Sequence, residues 1–395
     1  NTDVCRARVA HGRLPAVCIA SAAMPWIASR KRSNARRSAA HARPAAPCTT
    51  SRDAAAAGRR VAIVVVWRGP FPSYFDLFLS SCAANPDITW LIFGDHASHD
   101  GAPANVRFLN LSIDDMNGRI GDVLGVETHI SWPYKYCDLK PMYGLLFADH
   151  LRDFTHWGHC ELDIVWGRFS DFLTDDLFAR YPRIQQSGHL SIFRNDDDSN
   201  RFFMLEAPGA VTWRGVLAHP GYYFYFDESA GINRILEHQC IPQSPVVPVA
   251  DVLAPPARFR LYGHANHRLQ AFFWNNGRVF RDFVDDTTGR FGRDEFLYIH
   301  LQKRRLPAPE FRTIPALGYW ITPHGFVPRT SAEPDRDTIW RMNRPSWRHR
   351  AFVVRWRARN LWRKFTGGNK PPRDAIVTSP GGRSLLGDLP ASPHT

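Results

Sequence analysis

Short apolar runs alternate with segments of helical spacing over the first half of the chain's central region. Residues 61–67 (VAIVVVW) form an unbroken apolar run rich in β-branched side chains, which is typical of a strand buried on both faces of a parallel sheet. Further strands are predicted at 89–93, 106–111 and 156–166. Because helical segments separate these strands, the pattern predicts βαβ units and an α/β fold with a mostly parallel central sheet flanked by helices.

The helical segments are predicted from their apolar spacing and from their end signals. Ser73 and Asp76 resemble a capping box at the start of a first helix, which Asn85-Pro86 ends. A second helix is predicted at 113–124. Pro141 suits the first turn of a third helix that runs to residue 151, and a fourth is predicted at 228–238.

The carboxyl-terminal region has a different periodicity, in which arginines stand between apolar positions. This pattern predicts a basic amphipathic helix within 340–366. Such a helix either lies on an anionic membrane surface or packs on the body with a solvated arginine face, and the sequence leaves both open. The apolar positions are Trp347, Ala351, Val354, Ala358, Leu361 and Phe365, and the arginines are Arg348, Arg355, Arg359 and Arg363.

The charge distribution bears on the class of partner. The 395 residues carry a formal net charge of +13, of which 1–60 contribute +10 and 331–395 contribute +8, so that 61–330 carry −5. An acidic body argues against a basic groove for nucleic acid, and no nucleic-acid partner is expected. Binding of nucleic acid through the basic ends alone is the least favoured hypothesis for the protein.

Composition along the chain predicts four regions. Residues 1–60 form an Ala/Arg-rich tail that is expected to be disordered, and 61–330 form the folded domain. Residues 331–366 form the basic helical extension, and the Pro/Gly/Ser-rich 367–395 form a second disordered tail. Seven cysteines without a CxxC pair indicate a reduced, cytoplasmic protein. No apolar run reaches 18 residues, which excludes a membrane-spanning helix.

Two acids inside an otherwise apolar segment give the first candidate site. Glu161 and Asp163 are two residues apart, so on an extended strand their side chains lie on one face. Hard carboxylates at a strand end suit magnesium or manganese shared with a substrate phosphate. The alternative is a strand-end pair that only forms salt bridges or caps.

Lysine usage points to the same region. Between 61 and 330 the lysines are Lys135, Lys140 and Lys303, in a chain whose other basic residues are almost all arginine. A lysine at a given position of such an arginine-rich chain suggests that the position needs a compact ammonium group, for example to bind a diphosphate. Three ordinary surface lysines remain the alternative.

Several short motifs of the chain, when their order and spacing are considered together, are specific enough to indicate one protein family. Residues 61–305 resemble a bacterial glycosyltransferase family with the GT-A fold, which has been described only as domain of unknown function 6625. The resemblance rests on Phe71-Pro72, Asn85-Pro86, Trp90-Leu91-Ile92-Phe93, Pro133-Tyr134-Lys135, Cys137-Asp138, Lys140-Pro141, Trp157-Gly158, Cys160-Glu161-Leu162-Asp163, Gly188-His189-Leu190, Phe226-Asp227-Glu228, Gly231-Ile232-Asn233 and Tyr298-Ile299-His300-Leu301-Gln302-Lys303-Arg304.

The resemblance implies a GT-A-like single domain that uses a nucleotide-sugar donor and a divalent metal, manganese or magnesium. Asp163 would then be the principal metal ligand. Glu161, at a position where this family usually has Asp, would bind ribose or reach the metal through water. His300 would add a metal contact, and Lys303 would contact the donor diphosphate.

The remaining roles follow from the same resemblance and from the needs of sugar transfer. Asp95 would contact the nucleoside, and Asp138 and Lys140 would hold sugar or phosphate. An inverting transferase needs a general base at the acceptor hydroxyl, for which Asp227 and Glu228 are the candidates. Asp227 capping the fourth helix is an equal alternative, and Asp138 near Pro141 has a similar one.

The sequence therefore predicts a metal-dependent glycosyltransferase that moves a sugar to a glycan or lipid-linked acceptor in surface polysaccharide biosynthesis. It is expected in the cytoplasm, at the inner face of the plasma membrane if the basic helix binds lipid. The rival hypothesis is a catalytically silent module that binds nucleotide sugar or glycan on the same fold.

Overall fold

A six-stranded sheet lies at the centre of the computed structural model, which describes residues 59–302, 304–333, 335–365 and 372–377. The strands of the described residues are β1 Val61–Trp67, β2 Ile88–Gly94, β3 Val106–Asn110, β4 His156–Cys160, β5 Ile164–Trp166, β6 Arg183–Ser187, β7 Leu190–Arg194, β8 Ala250–Asp251, β9 Leu269–Asn275, β10 Arg278–Val284, β11 Phe291–Phe296, β12 Tyr298–His300, β13 Tyr319–Thr322 and β14 Gly325–Pro328.

The strand order of the central sheet is β3-β2-β1-β4-β7-β6. Strands β3, β2, β1 and β4 are parallel, whereas β7 and β6 are antiparallel to their neighbours. The chain moves outward from β1 to β3 and then returns to place β4 on the other side of β1. This reversal creates a topological switch point, the position at which ligands bind to open α/β sheets.

Two further sheets make the architecture mixed rather than mostly parallel. One has the order β11-β10-β9-β13-β14 and is antiparallel throughout, and the other has the order β5-β12-β8. The predicted parallel pairing is found for β1 to β4, four of the six strands of the central sheet, and β8 and β12 of the third sheet are also parallel. The predicted strand at 156–166 is also wrong as a single element, because β4 and β5 belong to different sheets.

The central sheet is buried on both faces, as its first strand predicts. Ala62 and Val64 pack into one apolar cluster, whereas Val61, Ile63 and Val65 pack into a second cluster on the opposite face. All five are at most 3% exposed. Because both faces of β1 are buried, the strand is held in its position in the sheet. The edge at which the strands end, where the polar residues gather, is held in position with it.

The helices follow the sequence pattern in part. They are α1 Phe75–Ala83, α2 Ile113–Leu124, α3 Tyr136–Leu139, α4 Tyr143–Leu146, α5 Ala148–Leu151, α6 Asp175–Arg180, α7 Trp213–Ala218, α8 Ile232–His238, α9 Arg336–Met342 and α10 Trp347–Phe365. Helix α2 has the predicted bounds, and Ser112 and Asp115 form a capping box at its start.

Three helix predictions need correction. Ser73 does not cap α1, because its hydroxyl donates to the Leu306 carbonyl. The helix predicted at 141–151 is divided into short turns, since Phe147 leaves helical geometry and stacks on Phe93 with ring centroids 4.3 Å apart. Helix α8 begins at Ile232 rather than at residue 228, and Gly231 stands before it.

The carboxyl-terminal extension lies against the body. Helix α10 is followed, after residues outside the described set, by a segment at 372–377 in which Ile376 forms a bridge with Val211. No helix among the described residues is long and apolar enough to cross a membrane. The predicted tails 1–60 and 367–395 fall almost entirely outside those residues, so their disorder stays a prediction.

Candidate metal and carboxylate site

The link between β4 and β5 carries both acids of the predicted metal motif. The parallel strands β1, β2 and β4 end at one edge of the central sheet, and Glu161 follows β4 directly. The chain then leaves the sheet and enters β5, which places Asp163 at the junction of two sheets. Glu161 and Asp163 retain 35% and 25% exposure of their side chains, so solvent reaches both carboxylates.

Strand pairing brings a distant histidine to these acids. Strand β12 runs antiparallel to β5 with His300 opposite Ile164, and the Leu301 amide donates to the Asp163 carbonyl at 2.8 Å. The His300 Nε2 atom consequently lies 3.4 Å from Glu161 Oε2 and 3.4 Å from Asp163 Oδ1. The three residues predicted from sequence as metal ligands meet at one point.

A third carboxylate holds the His300 ring in place. Asp251, at the end of β8, has its Oδ1 2.8 Å from His300 Nδ1, and β8 pairs with β12 in parallel with Asp251 opposite His300. A carboxylate on one ring nitrogen fixes the tautomer and directs the other nitrogen outward, which is the usual arrangement behind a metal-ligating histidine.

The geometry of these atoms fits a divalent cation. The ligand atoms of Glu161, Asp163 and His300 all lie within 4.8 Å of one another. Ligands at about 2.1 Å from an octahedral ion stand about 3.0 Å apart when adjacent and about 4.2 Å apart when opposite. His300 Nε2 is buried, makes no well-formed hydrogen bond among the described residues, and lies 3.4 Å from an oxygen of each carboxylate, so all three ligand atoms face the same point.

Without a cation, the same groups bind a proton tightly. Burial alone would lower the pKa of His300, but Asp163, Asp251 and Glu161 outweigh it and hold that pKa well above its usual value. Burial would raise the pKa of Glu161, whereas Lys140 and His300 hold it well below its usual range. A divalent cation bound at this point would therefore have to displace the proton of the His300 imidazolium.

A second histidine supports the ring from behind. The His189 ring stacks on His300 with centroids 4.4 Å apart, and the Tyr298 hydroxyl lies 2.8 Å from His189 Nδ1. Burial, reinforced by the neighbouring His300, lowers the pKa of His189 to about 4. His189 is therefore neutral at physiological pH and adds no charge that would repel a cation.

Lys140 joins the acid pair to a second carboxylate group. Its Nζ donates to Glu161 Oε1 at 3.1 Å, to Asp227 Oδ2 at 3.0 Å and to the Gly188 carbonyl at 2.8 Å. An ammonium has three protons, and these three protein acceptors use them. Lys140 therefore joins Glu161 to Asp227 in the structure, and its predicted contact with substrate stays a prediction.

The two candidate bases differ in their surroundings. Asp227 is 1% exposed, bonds to Lys140 and accepts from the Tyr223 hydroxyl at 3.2 Å; it does not cap α8. Glu228 is half-buried and accepts from the Gly188 amide at 3.0 Å. A Cβ atom at position 188 would stand 2.6 Å from Glu228 Oε1 and 2.9 Å from Asp227 Oδ2, so glycine permits the approach of both acids.

Both acids of this pair hold protons more tightly than usual. Burial, with the nearby charges of Asp227 and Glu161, raises the pKa of Glu228 to about 7. Burial raises the pKa of Asp227 to about 6, although Lys140 opposes it. A half-buried carboxyl group with a pKa near neutrality is suited to accept a proton at pH 7.

Lys135 and Asp138, which were predicted to bind substrate, are both 0% exposed. Lys135 Nζ donates to Asp138 Oδ2 at 2.9 Å and to the Tyr222 carbonyl at 2.7 Å. Asp138 also accepts from the amides of Phe224 and Phe226. The buried pair thus shapes the loop that precedes Asp227 and Glu228, and Asp138 is not a helix cap.

Asp95 lies at the same edge of the sheet, two strands from the acid pair. It follows β2, accepts from the Gly69 amide at 3.2 Å, and lies 3.8 Å from Arg68. Adjacent strands are about 4.8 Å apart, so β2 and β4 stand roughly 10 Å apart across the sheet, which is compatible with two parts of one nucleotide-sized ligand. Lys303 lies outside the described residues, and its role stays a prediction.

Sequence reasoning missed Asp251, His189 and Tyr223 as parts of this site. Asp251 is a single acid in an apolar segment, VPVADVL, where the cost of burying a carboxylate without a partner could have indicated it. His189 belongs to a motif of the resemblance, but no role was assigned to it. Tyr223 gave no distinguishing signal among its aromatic neighbours.

Comparison with known proteins gives a family without an assigned activity. The model of a family of unknown function (DUF6625) matches residues 63–330, a range that contains every candidate residue described above. No curated protein matches the chain. Because the match extends over more than half of its length, the chain belongs to the DUF6625 family.

Proposed function

We propose that this protein is a metal-dependent glycosyltransferase with a GT-A-like domain, which transfers a sugar from a nucleotide-sugar donor to a glycan or lipid-linked acceptor. The observation that carries the proposal is the convergence of Glu161, Asp163 and His300 at the carboxyl edge of the parallel strands, with the buried His300 Nε2 facing an oxygen of each carboxylate at 3.4 Å.

The position of this cluster supports a nucleotide ligand. The order β3-β2-β1-β4 contains a switch point between β1 and β4, and Glu161 follows β4 there. Nucleotides bind outside the carboxyl ends of strands at such points. In this proposal Asp95, at the end of β2, contacts the nucleoside, and the acid pair contacts the diphosphate through the metal.

The cluster provides what a diphosphate leaving group requires. In this proposal Glu161, Asp163 and His300 would hold a manganese or magnesium ion, and that ion would supply positive charge beside the diphosphate leaving group. Asp251 holds the His300 ring, and Lys140 fixes Glu161 by donating to Oε1. The ligands are thereby oriented before substrate binds, which avoids reorganisation during the reaction.

Glu228 is the general base of the proposal, and Asp227 is a positioning residue. Both Asp227 oxygens already accept hydrogen bonds from Lys140 and Tyr223. Glu228 is more accessible, and its pKa near 7 allows it to take a proton from an acceptor hydroxyl at neutral pH. Lys140 lies between the two groups and sets their spacing.

A thermal-shift screen of nucleotide diphosphate sugars, with and without manganese, tests the proposal. We expect at least one donor to raise the melting temperature in the presence of manganese, together with slow manganese-dependent hydrolysis of that donor. Asp163→Asn should remove both effects, whereas Asp122→Asn, at an exposed position of α2, should retain them.

Two results would count against the proposal. If no donor is stabilising under either condition, the protein does not bind nucleotide sugars. If a donor binds but the Asp163→Asn variant hydrolyses it at the normal rate, the acid pair is not the metal site. Binding without turnover against water or any glycan acceptor would favour a silent nucleotide-sugar-binding module.

A further inference from the structure

The solvent-facing side of α10 carries an exposed apolar stripe. Trp347, Val354 and Leu361 are 71%, 66% and 56% exposed, and Ala358 between them is exposed as well. Successive helical residues are about 100° apart, so these four side chains fall within about 40° of a single line along the helix. Large apolar side chains arranged in one line on a surface mark an interaction site.

Arginines stand on both sides of this stripe. By the same rotation of about 100° per residue, Arg348, Arg355 and Arg359 flank it on one side and Arg350 and Arg357 on the other. All five are exposed. The surface is therefore a narrow apolar line between two basic rows, and we call these residues the α10 stripe and its arginine rows.

The opposite side of α10 is attached to the body, so the stripe is not a face that the body covers. His349 and Val353 are 9% and 7% exposed, and the ring of His349 bonds to the Ala254 carbonyl. Just before the helix, the Ser346 amide donates to the Ala257 carbonyl at 2.9 Å. Helix α10 thus packs on the body, as one sequence-based alternative predicted, but through His349 and Val353 rather than through the predicted apolar positions.

The chain is attached again after the helix. The Thr212 amide donates to the Ala375 carbonyl at 2.9 Å, and the Val377 amide donates to the Ala210 carbonyl at 3.0 Å. Ala375 is fully buried. Attachment before and after α10 holds the stripe and its arginine rows outward.

Charge limits what can cover the stripe. Residues 1–58 carry ten basic and two acidic residues, so this segment is repelled by the arginine rows. A second copy of α10 would bring the same arginines against them. The partner must therefore be anionic, and it must also accept a row of apolar side chains, with Trp347 at one end.

We propose that the α10 stripe and its arginine rows bind the surface of an anionic lipid bilayer. Apolar side chains of an interfacial helix enter the boundary between headgroups and acyl chains, while flanking arginines contact lipid phosphates. Tryptophan favours that boundary because it combines an apolar ring with a polar N–H group. This inference is independent of the proposed enzyme activity, and its test does not use catalysis.

Sedimentation of the full chain with lipid vesicles tests the inference. We expect strong binding to vesicles of phosphatidylcholine with phosphatidylglycerol, and weak binding to phosphatidylcholine alone. The triple variant R348Q/R355Q/R359Q should lower partitioning about 100-fold, because each arginine near an anionic surface contributes roughly fivefold. The uncharged pair Val354→Ser and Leu361→Ser should lower it roughly tenfold or more.

Matched substitutions on the body serve as controls. Val246 is 66% exposed, as Val354 is, so Val246→Ser removes an equally exposed side chain. Arg107, Arg152 and Arg312 are exposed, and their triple change to Gln removes the same charge as the α10 variant. Both controls should bind vesicles like the unchanged protein.

Three outcomes would overturn the inference. The unchanged protein could show no preference for anionic vesicles. The α10 variants could bind as well as the controls do, which would assign lipid binding to another part of the chain, such as 1–58. Finally, the arginine variant could lose binding while the Val354 and Leu361 variant keeps it. That result would indicate an electrostatic contact without insertion, as expected for an acidic protein partner.

Discussion

Neutralising Glu228 should separate its catalytic role from its effect on stability. Its carboxyl is half-buried, close to Asp227 and Glu161, and its pKa is raised to about 7. Glu228→Gln removes the charge but keeps an oxygen that can accept from the Gly188 amide, at 3.0 Å in the native site. The variant should therefore fold with the same local geometry.

The sign and size of the stability effect follow from proton linkage. An unfolded glutamate has a pKa of 4.5, so between about pH 4.5 and pH 7 the folded chain holds a proton that the unfolded chain has released. Folding stability therefore falls as pH rises through this window. A shift of about 2.5 units at 1.36 kcal/mol each gives an upper bound of about 3.4 kcal/mol, and coupling to Asp227 reduces it to roughly 2–3 kcal/mol.

Urea unfolding of the metal-free protein at several pH values measures this effect. Glu228→Gln and the unchanged protein should have similar stabilities at pH 4.5, whereas at pH 8 the variant should be more stable by roughly 2–3 kcal/mol. Its manganese-dependent hydrolysis of a nucleotide sugar should fall at least about 100-fold. In the unchanged protein that activity should rise with pH through about 7.

Asp227→Asn is the matched comparison, because Asp227 also holds a proton more tightly than usual but, unlike Glu228, bonds to Lys140. Asp227 is 1% exposed and accepts a charged hydrogen bond from Lys140 at 3.0 Å. Since its pKa is raised to about 6, neutralisation should also favour folding at pH 8, but by less than for Glu228, because the change weakens the compensation of the buried Lys140 ammonium. If Glu228→Gln instead loses stability at pH 8, Glu228 is a required ionised partner. If it keeps full activity, Glu228 is not the base.

Two further substitutions test the groups that support the site. Asp251→Asn should lower manganese affinity about 10- to 100-fold, measured by calorimetry, because it weakens the carboxylate that orients His300; an unchanged affinity would show that the ring is held by other contacts. Lys135→Met leaves the fully buried Asp138 without its cation and should cost about 3–5 kcal/mol in urea unfolding. The double variant Lys135→Met with Asp138→Leu should recover part of that lost stability. If it does not, Lys135 and Asp138 stabilise the fold by more than their contact with each other.

The strands that could be predicted are those with a strong local signal. The unbroken β-branched run at β1 requires burial on both faces, and Ala62 and Ile63 are indeed buried in opposite clusters. The α2 bounds were equally predictable, because Ser112 and Asp115 supply the start signal and Gly125 supplies a left-handed end. Each of these features depends on neighbours within a few residues.

The division of the predicted strand at 156–166 depends instead on distant parts of the chain. Nothing between His156 and Trp166 is a turn signal, so the local pattern favours one strand. The strand ends at Cys160 because β5 pairs with β12, more than 130 residues later in the sequence. A register set by such long-range pairing leaves no mark on the local pattern.

The same long-range register explains why part of the site could be predicted and part could not. The acid pair stood out because two carboxylates in an apolar segment are costly without compensation. The source of that compensation depends on which strands become neighbours. Asp251 reaches His300 because β8 lies beside β12, and Lys140 reaches Glu161 from a helical turn 21 residues earlier. Sequence thus identifies the groups that need partners, whereas the topology of the three sheets decides which partners they receive.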